Sequence, residues 1–391
     1  MMFLQFFIAG AFTPVLSLYL KDFLHFSGAQ TGMILSVTAA GAVIAPVVTT
    51  MVADRLVRAE HLLAYLQIAG GALLWVFALQ AEFVPVTLLY LCYTVINVPT
   101  FALTNAIVFH HSPETRHAFG AVRVWGTIGW IAVAWLFSWF WLHGDAGITA
   151  GRLPDALKLA AVASLCLGFY AFSLPASART RTGPSGFLPI ESLRVLKNPS
   201  IIRLCVFMLA VSFFYRFYFF GTAPFLRAIG FADSAIMPVM SLGQVPEIFA
   251  MSILGWLLLR HGSKKIILIG LLLDIFRYAT LAAGTPHWLV MAGLTVHGLS
   301  YTFIYTTAAI YLDSFCDGAS RTGVHQLFSM ITSGVGSFAG NIFCGNVMDA
   351  CAANGASVNY HAFWLVPVAG LVVLFLTCAF FLKNPAAAGK K

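Results

Sequence analysis

The stretch ASARTRTGPSGFLPIESLRVLKNPS, residues 176–200, decides how this chain reads. It carries Arg179, Arg181, Arg194 and Lys197 among glycines and prolines, a composition that does not cross a bilayer. The 391-residue chain around it is 60% hydrophobic and 9% charged. An average soluble domain carries about 25% charged residues. So few charges do not cover a soluble surface of this size, which excludes an ordinary soluble enzyme, a disordered chain and a fibrous protein. A helical span takes about 20 apolar residues. Twelve spans take about 240 residues and leave about 150 for loops and helix ends. The apolar runs are continuous rather than alternating, which excludes an outer-membrane barrel. The expected fold is an all-α membrane protein of twelve transmembrane helices in two six-helix bundles. Residues 1–175 form one bundle, 176–200 a cytoplasmic central loop and 201–391 the other bundle.

Working outward from the loop, the runs predict helices near 1–20, 30–53, 61–80, 85–109, 119–143 and 155–175 on one side. On the other they predict 201–226, 233–260, 265–284, 287–312, 322–347 and 359–382. With the N-terminus in the cytoplasm, fifteen of the 22 Lys and Arg fall on inside loops and ends. Only Lys21, Arg152, Lys158 and Arg227 fall outside, and Arg123, Arg216 and Arg277 lie within helices. This bias predicts a multi-pass protein of the bacterial inner membrane with both termini cytoplasmic. It also accounts for the formal charge of +8 without nucleic acid. The seven cysteines form no CxxC pair and read as small buried hydrophobes. The opening MMFLQFF has no basic n-region or cleavage site, so the chain is expected to start within its first span. No metal or cofactor is expected.

Ionisable side chains inside spans cost at least ~2.5–3.5 kcal/mol on insertion scales, so those that persist usually face a cavity and work. In GAVRVWGTIGW (120–130), Arg123, Thr127 and Trp130 fall on one helical face. That face offers a cation, a hydroxyl and an aromatic ring, unless Arg123 snorkels to the cytoplasmic surface. In SLGQVPEIFAM (241–251), Gln244 and Glu247 share a face, and Pro246 removes the usual partner of the Leu242 carbonyl. A broken helix beside an amide and a carboxylate suits a polar site within a membrane. Glu247 is the expected proton-coupling group, with a structural salt bridge to Arg123 or Arg216 as the plainer reading. Asp274 and Arg277, three apart, read as a self-neutralised pair, and His297 as a hydrogen-bonded packing residue rather than a relay. Arg216 sits among Tyr215, Phe219 and Phe220, and SYTFIYTT (300–307) interleaves polar and aromatic groups. Such rings suit flat heterocyclic ligands, or form an aromatic belt.

The stretches RVWGTIGW, VPTFALTNAIVFHH, GQVPEIF with FRYATLAAG, and VHGLSYTFIYTTAAIYLD resemble the nucleoside:proton symporter family of the major facilitator superfamily. FLQFFIAGAF and FSGAQTGMILS are similar too, so the resemblance covers essentially the whole chain in order. It implies that Arg123, Thr127, Trp130, Gln244 and Glu247 match family positions implicated in substrate binding or coupling. VADRLVRAEHLL (52–63) looks like a degenerate form of the superfamily loop motif between helices 2 and 3. Asp54, Arg55 and Arg58 stand there as gating charges or as a solvated turn. Two positions depart. Tyr301, Thr302 and Phe303 occupy a motif that commonly carries a central aspartate, and Arg216 aligns with a substrate-contacting glutamine. Both changes move the site toward positive charge.

The function expected is a proton-coupled secondary active transporter of nucleosides or similar small polar solutes, working by alternating access. The alternative is a permease for a sugar, sugar acid or aromatic acid on the same scaffold. The partners expected are the solute, protons and the lipid bilayer, with no nucleic acid, and the protein is expected to be a monomer. No catalytic constellation of paired Ser and His, clustered His or paired midplane aspartates is present, which argues against an enzyme.

Overall fold

Twelve helical spans form among the residues the computed structural model describes, 1–48, 57–111, 116–142, 144, 146–175, 198–316, 321–352 and 357–382. They are α1 (Met2–Phe23), α2 (Gly28–Ser36 and Thr38–Val48), α3 (Ala59–Phe77), α4 (Phe83–His111), α5 (Arg116–Phe140) and α6 (Ala146–Ala171). Then come α7 (Pro199–Ala228), α8 (Asp233–Ser241, resuming at Gln244), α9 (263–283), α10 (287–313), α11 (321–351) and α12 (Tyr360–Phe381). No strand occurs among the described residues. The spans follow the apolar runs because a bilayer leaves each span to satisfy its own backbone, which a helix does.

Local chemistry sets the ends and breaks. Ser27 caps α2: its Oγ accepts from the Gln30 backbone N–H at 3.1 Å, while Gln30 Oε1 accepts from the Ser27 N–H at 3.0 Å. Within α1, Thr13–Val15 tightens to a 3-10 turn around Pro14, and Tyr19–Phe23 loosens to a π turn. The helix expected near 233–260, with a break ahead of Pro246, is interrupted at Leu242 and Gly243 and resumes at Gln244. Pro246 then falls in the first turn of the new segment, where a missing N–H costs nothing. Between α8 and α9 the chain turns at Gly262, with φ 75°.

Among the described residues, eight stretches are long and apolar enough to cross a membrane, and one of them, Asp233–Ala283, is 51 residues long and holds both α8 and α9. Large apolar side chains stand on the outside of the helices, among them Trp139, Phe140, Leu259 and Phe380, as lipid contact requires.

Two compact units divide the chain. One comprises Met1–Pro184, Tyr218–Ser241 and Asn341–Asn346, and the other Ser185–Phe217, Leu242–Gly340 and Val347–Lys391. In the first, α1 packs against α5 and α6, and α3 against α4 and α6. A buried polar chain ties these helices together. Gln5 Nε2 donates to Thr100 Oγ1 at 2.8 Å, and Gln67 Nε2 donates to Gln5 Oε1 at 2.8 Å. Ser164 Oγ donates to Gln67 Oε1 at 2.6 Å. In the second unit α10 and α12 pack against the α8–α9 hairpin. The central loop at 176–197, and Asp54 and Arg55 of the expected gate, lie outside the described residues.

Candidate functional site

In the first unit, α5 presents Arg123, Thr127 and Trp130 as one half-buried stripe, while Val124, Trp125 and Ile128 are exposed. The 3.6-residue period puts these two sets on different faces. Arg123 lies over the Phe6 ring of α1, its guanidinium carbon 4.0 Å from the centroid. Phe6 meets Phe101 of α4 edge-on at 5.3 Å. A cation over an aromatic face is favourable, and more so out of water. The approach of α1 depends on Gly129, where a Cβ would stand 2.2 Å from the Phe3 carbonyl oxygen. Trp130 abuts Gly10 of α1, where a Cβ would lie 3.1 Å from the indole. Phe6 and Gln5 belong to the quoted FLQFFIAGAF, yet spacing along α1 does not single them out as neighbours of α5 and α4. Arg58 stands exposed at the start of α3.

In the second unit the break in α8 places Gln244 and Glu247, both half-buried, in the first turn of its second segment. Free N–H groups and the helix dipole favour a carboxylate there. Gly298 of α10 backs this turn. A Cβ on it would stand 2.0 Å from the Gly243 carbonyl oxygen and 2.7 Å from Glu247 Cβ. Only hydrogen fits, so the α8 break and α10 meet backbone to backbone.

Arg216 of α7 is half-buried, with its Nε shielded and its guanidinium carbon 5.4 Å from the Tyr215 centroid. Tyr215 meets Tyr305 edge-on at 5.3 Å and Tyr301 at 6.2 Å, and Tyr301 stacks on Tyr305 at 5.0 Å. Tyr301 and Tyr305 lie four apart across the π turn Thr302–Thr306. The other two residues of the expected motif go elsewhere. Phe303 packs into an apolar cluster with Ala250, Leu254 and Ile266. Thr302 is fully buried, and its hydroxyl has no hydrogen-bond partner.

Asp274 and Arg277 of α9 pair as their spacing predicts, Arg277 Nη2 to Asp274 Oδ1 at 3.0 Å, both buried. The pair is not self-contained. Arg277 Nη1 also contacts Nδ1 of His297 on α10, and His297 Nε2 lies 3.3 Å from the Tyr215 hydroxyl. The second unit therefore joins an α8 carboxylate turn, an α7 arginine, a tyrosine cluster and a buried charged group within one bundle. Such an arrangement can hold a flat polar solute by stacking and charge-assisted hydrogen bonds, and can store a proton.

The chain is similar to known proteins along nearly its whole length. The family model described as Nucleoside H+ symporter matches residues 1–387. The candidate nucleoside transporter YegT of Escherichia coli K12 is 33% identical over 96% of this chain and 91% of its own length. The xanthosine permease of the same organism is 28% identical over 97% of this chain and 93% of its own. Among solved structures, that of the nucleoside transporter NupG superposes with a TM-score of 0.87 at 23% identity, covering 98% of each chain. It shares the fold, as does a D-xylose–proton symporter with a TM-score of 0.73 at 13% identity, over 98% of this chain and 95% of its own. The chain belongs to the nucleoside H+ symporter family of membrane transporters, not to an enzyme family.

Proposed function

We propose that this transporter carries a nucleoside together with protons across the bacterial inner membrane, as a monomer with both termini in the cytoplasm. Arg123, Thr127, Trp130, Arg216, Gln244, Glu247 and Tyr301 supply the substrate contacts, and Glu247 carries the proton. The stretches 1–175 and 201–391 act as the two moving bundles, joined by the cytoplasmic loop 176–200, and the turn with Asp54, Arg55 and Arg58 gates the inner side.

The observation that carries this reading is the opened turn of α8. It sets Gln244 and Glu247 in one turn at a helix N-terminus, backed by Gly298 of α10, the helix that carries Tyr301 and Tyr305, within a chain matched by the family along nearly its whole length. A carboxylate there accepts hydrogen bonds from sugar hydroxyls when ionised and donates one when protonated, so proton and solute compete for or share one group. Aromatic rings hold the base through their faces.

Uptake of radiolabelled uridine, adenosine and xanthosine into proteoliposomes, with an imposed proton gradient, tests the reading. The parent accumulates at least one nucleoside above equilibrium, and Glu247→Gln does not. Unchanged accumulation by Glu247→Gln removes the coupling role. The buried arginine Nε at Arg216 and the uncharged Thr302 favour one second reading, an anionic solute such as a sugar acid. Inhibition of uptake by sugar acids but not by nucleosides would select it.

A further inference from the structure

The group formed by Asp274, Arg277 and His297 has no part in the substrate contacts just described, yet it reaches them from two directions. Arg277 is fully buried, Asp274 is 3% exposed and His297 is 4% exposed. Arg277 holds Asp274 with one terminal nitrogen and His297 Nδ1 with the other. A guanidinium has only donors, so Nδ1 must accept. His297 is therefore neutral here, with its proton on Nε2, and that N–H points at the Tyr215 hydroxyl 3.3 Å away. The imidazole also stacks on the Tyr215 ring, with centroids 5.6 Å apart and planes 20° apart. On its other side, His297 Cβ packs against the α8 break, 3.0 Å from where a Cβ on Gly243 would stand.

We infer that this group is a second proton-binding site of the transporter, in which His297 Nδ1 takes the proton and Tyr215 passes the change to the substrate contacts. The inference rests on the transport reading above and not on the role of Glu247. In the observed state the three charges sum to zero: an aspartate, a guanidinium and a neutral imidazole. A proton entering from water forms an N–H bond at Nδ1, and two donors then face each other. Arg277 must withdraw to Asp274 alone, and the group carries one net positive charge. A buried uncompensated charge is costly, so this state lasts only while its surroundings rearrange or water reaches it. The proton leaves to water from the same atom, and no other bond changes. Histidine is suited to the step because one ring nitrogen can take and release a proton while the other keeps its hydrogen bond.

The rearrangement has a defined receiver. Tyr215 adjoins Arg216 in the chain, lies under its guanidinium and touches Tyr301 and Tyr305. Charged and titratable groups face the site from each packed helix. From α7 these are Tyr215 and Arg216, and from α9 Asp274, Arg277 and Tyr278, whose ring lies 4.6 Å from the Arg277 guanidinium carbon. From α10 they are Tyr301 and Tyr305, with the Ser300 hydroxyl toward Asp274, and from α8 Glu247 against Gly298. From α12, Trp364 stacks on Tyr278 and adds no charge. The Asp274 carboxylate is already engaged by Arg277, so the positive charge created at His297 acts on Arg277 at Nδ1 and on the Tyr215 hydroxyl at Nε2, and Tyr215 carries it on to Arg216.

His297→Gln tests the inference. A glutamine amide accepts from Arg277 with its oxygen and donates to Tyr215 with its nitrogen, but does not take a proton. In proteoliposomes, nucleoside exchange at equal pH on both sides needs no net proton movement, and accumulation driven by a gradient does. His297→Gln is expected to exchange within about threefold of the parent, to lose its dependence on pH between about 5.5 and 7.5, and to fail to accumulate. An unchanged pH profile together with unchanged accumulation overturns the inference, whatever Glu247→Gln does. A parent that neither exchanges nor accumulates any nucleoside overturns the transport reading instead. If His297→Gln does not fold, Tyr215→Phe removes only the hydroxyl that receives the signal. A shifted pH profile of exchange then supports the inference, and a parental profile overturns it.

Discussion

Arg227 grips Asp233 with two nitrogens, Nε to Oδ1 at 2.7 Å and Nη2 to Oδ2 at 2.6 Å. The third nitrogen, Nη1, reaches Asp22 Oδ2 at 2.7 Å, and the Thr149 hydroxyl bonds the same Asp233 carboxylate. One arginine at the end of α7 thus ties the ends of α1 and α8, and its carboxylate partner ties in α6. The carboxylate of Asp233 is 4% exposed and that of Asp22 is 32% exposed. Removing Arg227 therefore strands a buried charge at Asp233, which costs about 3–5 kcal/mol. The contact to Asp22 is worth at most about 1 kcal/mol. Arg227→Ala is expected to lower the apparent melting temperature sharply in detergent, and Asp22→Asn hardly at all. Equal shifts for the two variants would refute this ranking.

Gly298 sets a second expectation. Alanine there puts its methyl carbon within 2.0 Å of the Gly243 carbonyl oxygen, a backbone atom that does not swing aside. The α8 turn must move, and Glu247 with it. Gly298→Ala should cost about 1–3 kcal/mol and abolish gradient-driven uptake. Gly255, also on α8, has open space within 4 Å of the point where a methyl carbon would sit, so Gly255→Ala should be neutral or stabilising by up to about 1 kcal/mol. Thermal unfolding and uptake measured on both variants separate the two sites.

Phe6 and Arg123 make a third. A cation over a ring, 4.0 Å from its centroid, contributes about 0.5–2 kcal/mol depending on exposure. Phe6→Leu keeps the bulk and removes the ring face, so the orientation of the guanidinium loosens. The half-saturation concentration for nucleoside uptake is expected to rise by about 2- to 30-fold. Arg123→Lys should raise it as well, since an ammonium lacks the planar fork. A parental half-saturation value in both variants would show that Arg123 does not contact solute.

A fourth concerns Gln67, whose amide links Gln5 to Ser164. Gln67→Leu leaves the Gln5 oxygen only the longer bond from the Thr104 hydroxyl at 3.4 Å, while the Ser164 hydroxyl keeps the Gln67 backbone carbonyl at 2.8 Å, a loss of about 0.5–1.5 kcal/mol. The melting temperature should fall while the half-saturation concentration stays near the parental value. A selective loss of affinity without loss of stability would place this network in the substrate site instead.

Much of the fold was legible because a bilayer punishes every unsatisfied backbone group. Apolar runs have to become helices, and the expected span from 287 to 312 meets a helix over 287–313. The break near Leu242 was legible from Pro246, since a missing N–H acts within one turn of its own helix. The stripe of Arg123, Thr127 and Trp130 followed from helical period alone. His297 was harder. From spacing, Asp274 and Arg277 formed a closed pair and His297 a separate packing residue. Their union is a contact between α9 and α10, with Arg277 and His297 20 residues apart along the chain, and no periodicity along one helix reports it.

The sequence by itself determined the number of spans, their boundaries within a few residues and the few charges that lie inside them. Each of these follows from the cost of placing one side chain or one backbone group in hydrocarbon, which is a local quantity. Only the tertiary structure decided which helix each of those charges faces. Arg123 turned to Phe6 and Arg277 to both Asp274 and His297, and Arg227, expected outside the spans, turned to Asp233 and Asp22. Those choices depend on how closely two helices approach, and that is set by glycines such as Gly129 and Gly298 acting against partners remote in sequence. A single helix carries the residues of a site, and packing between helices makes the site.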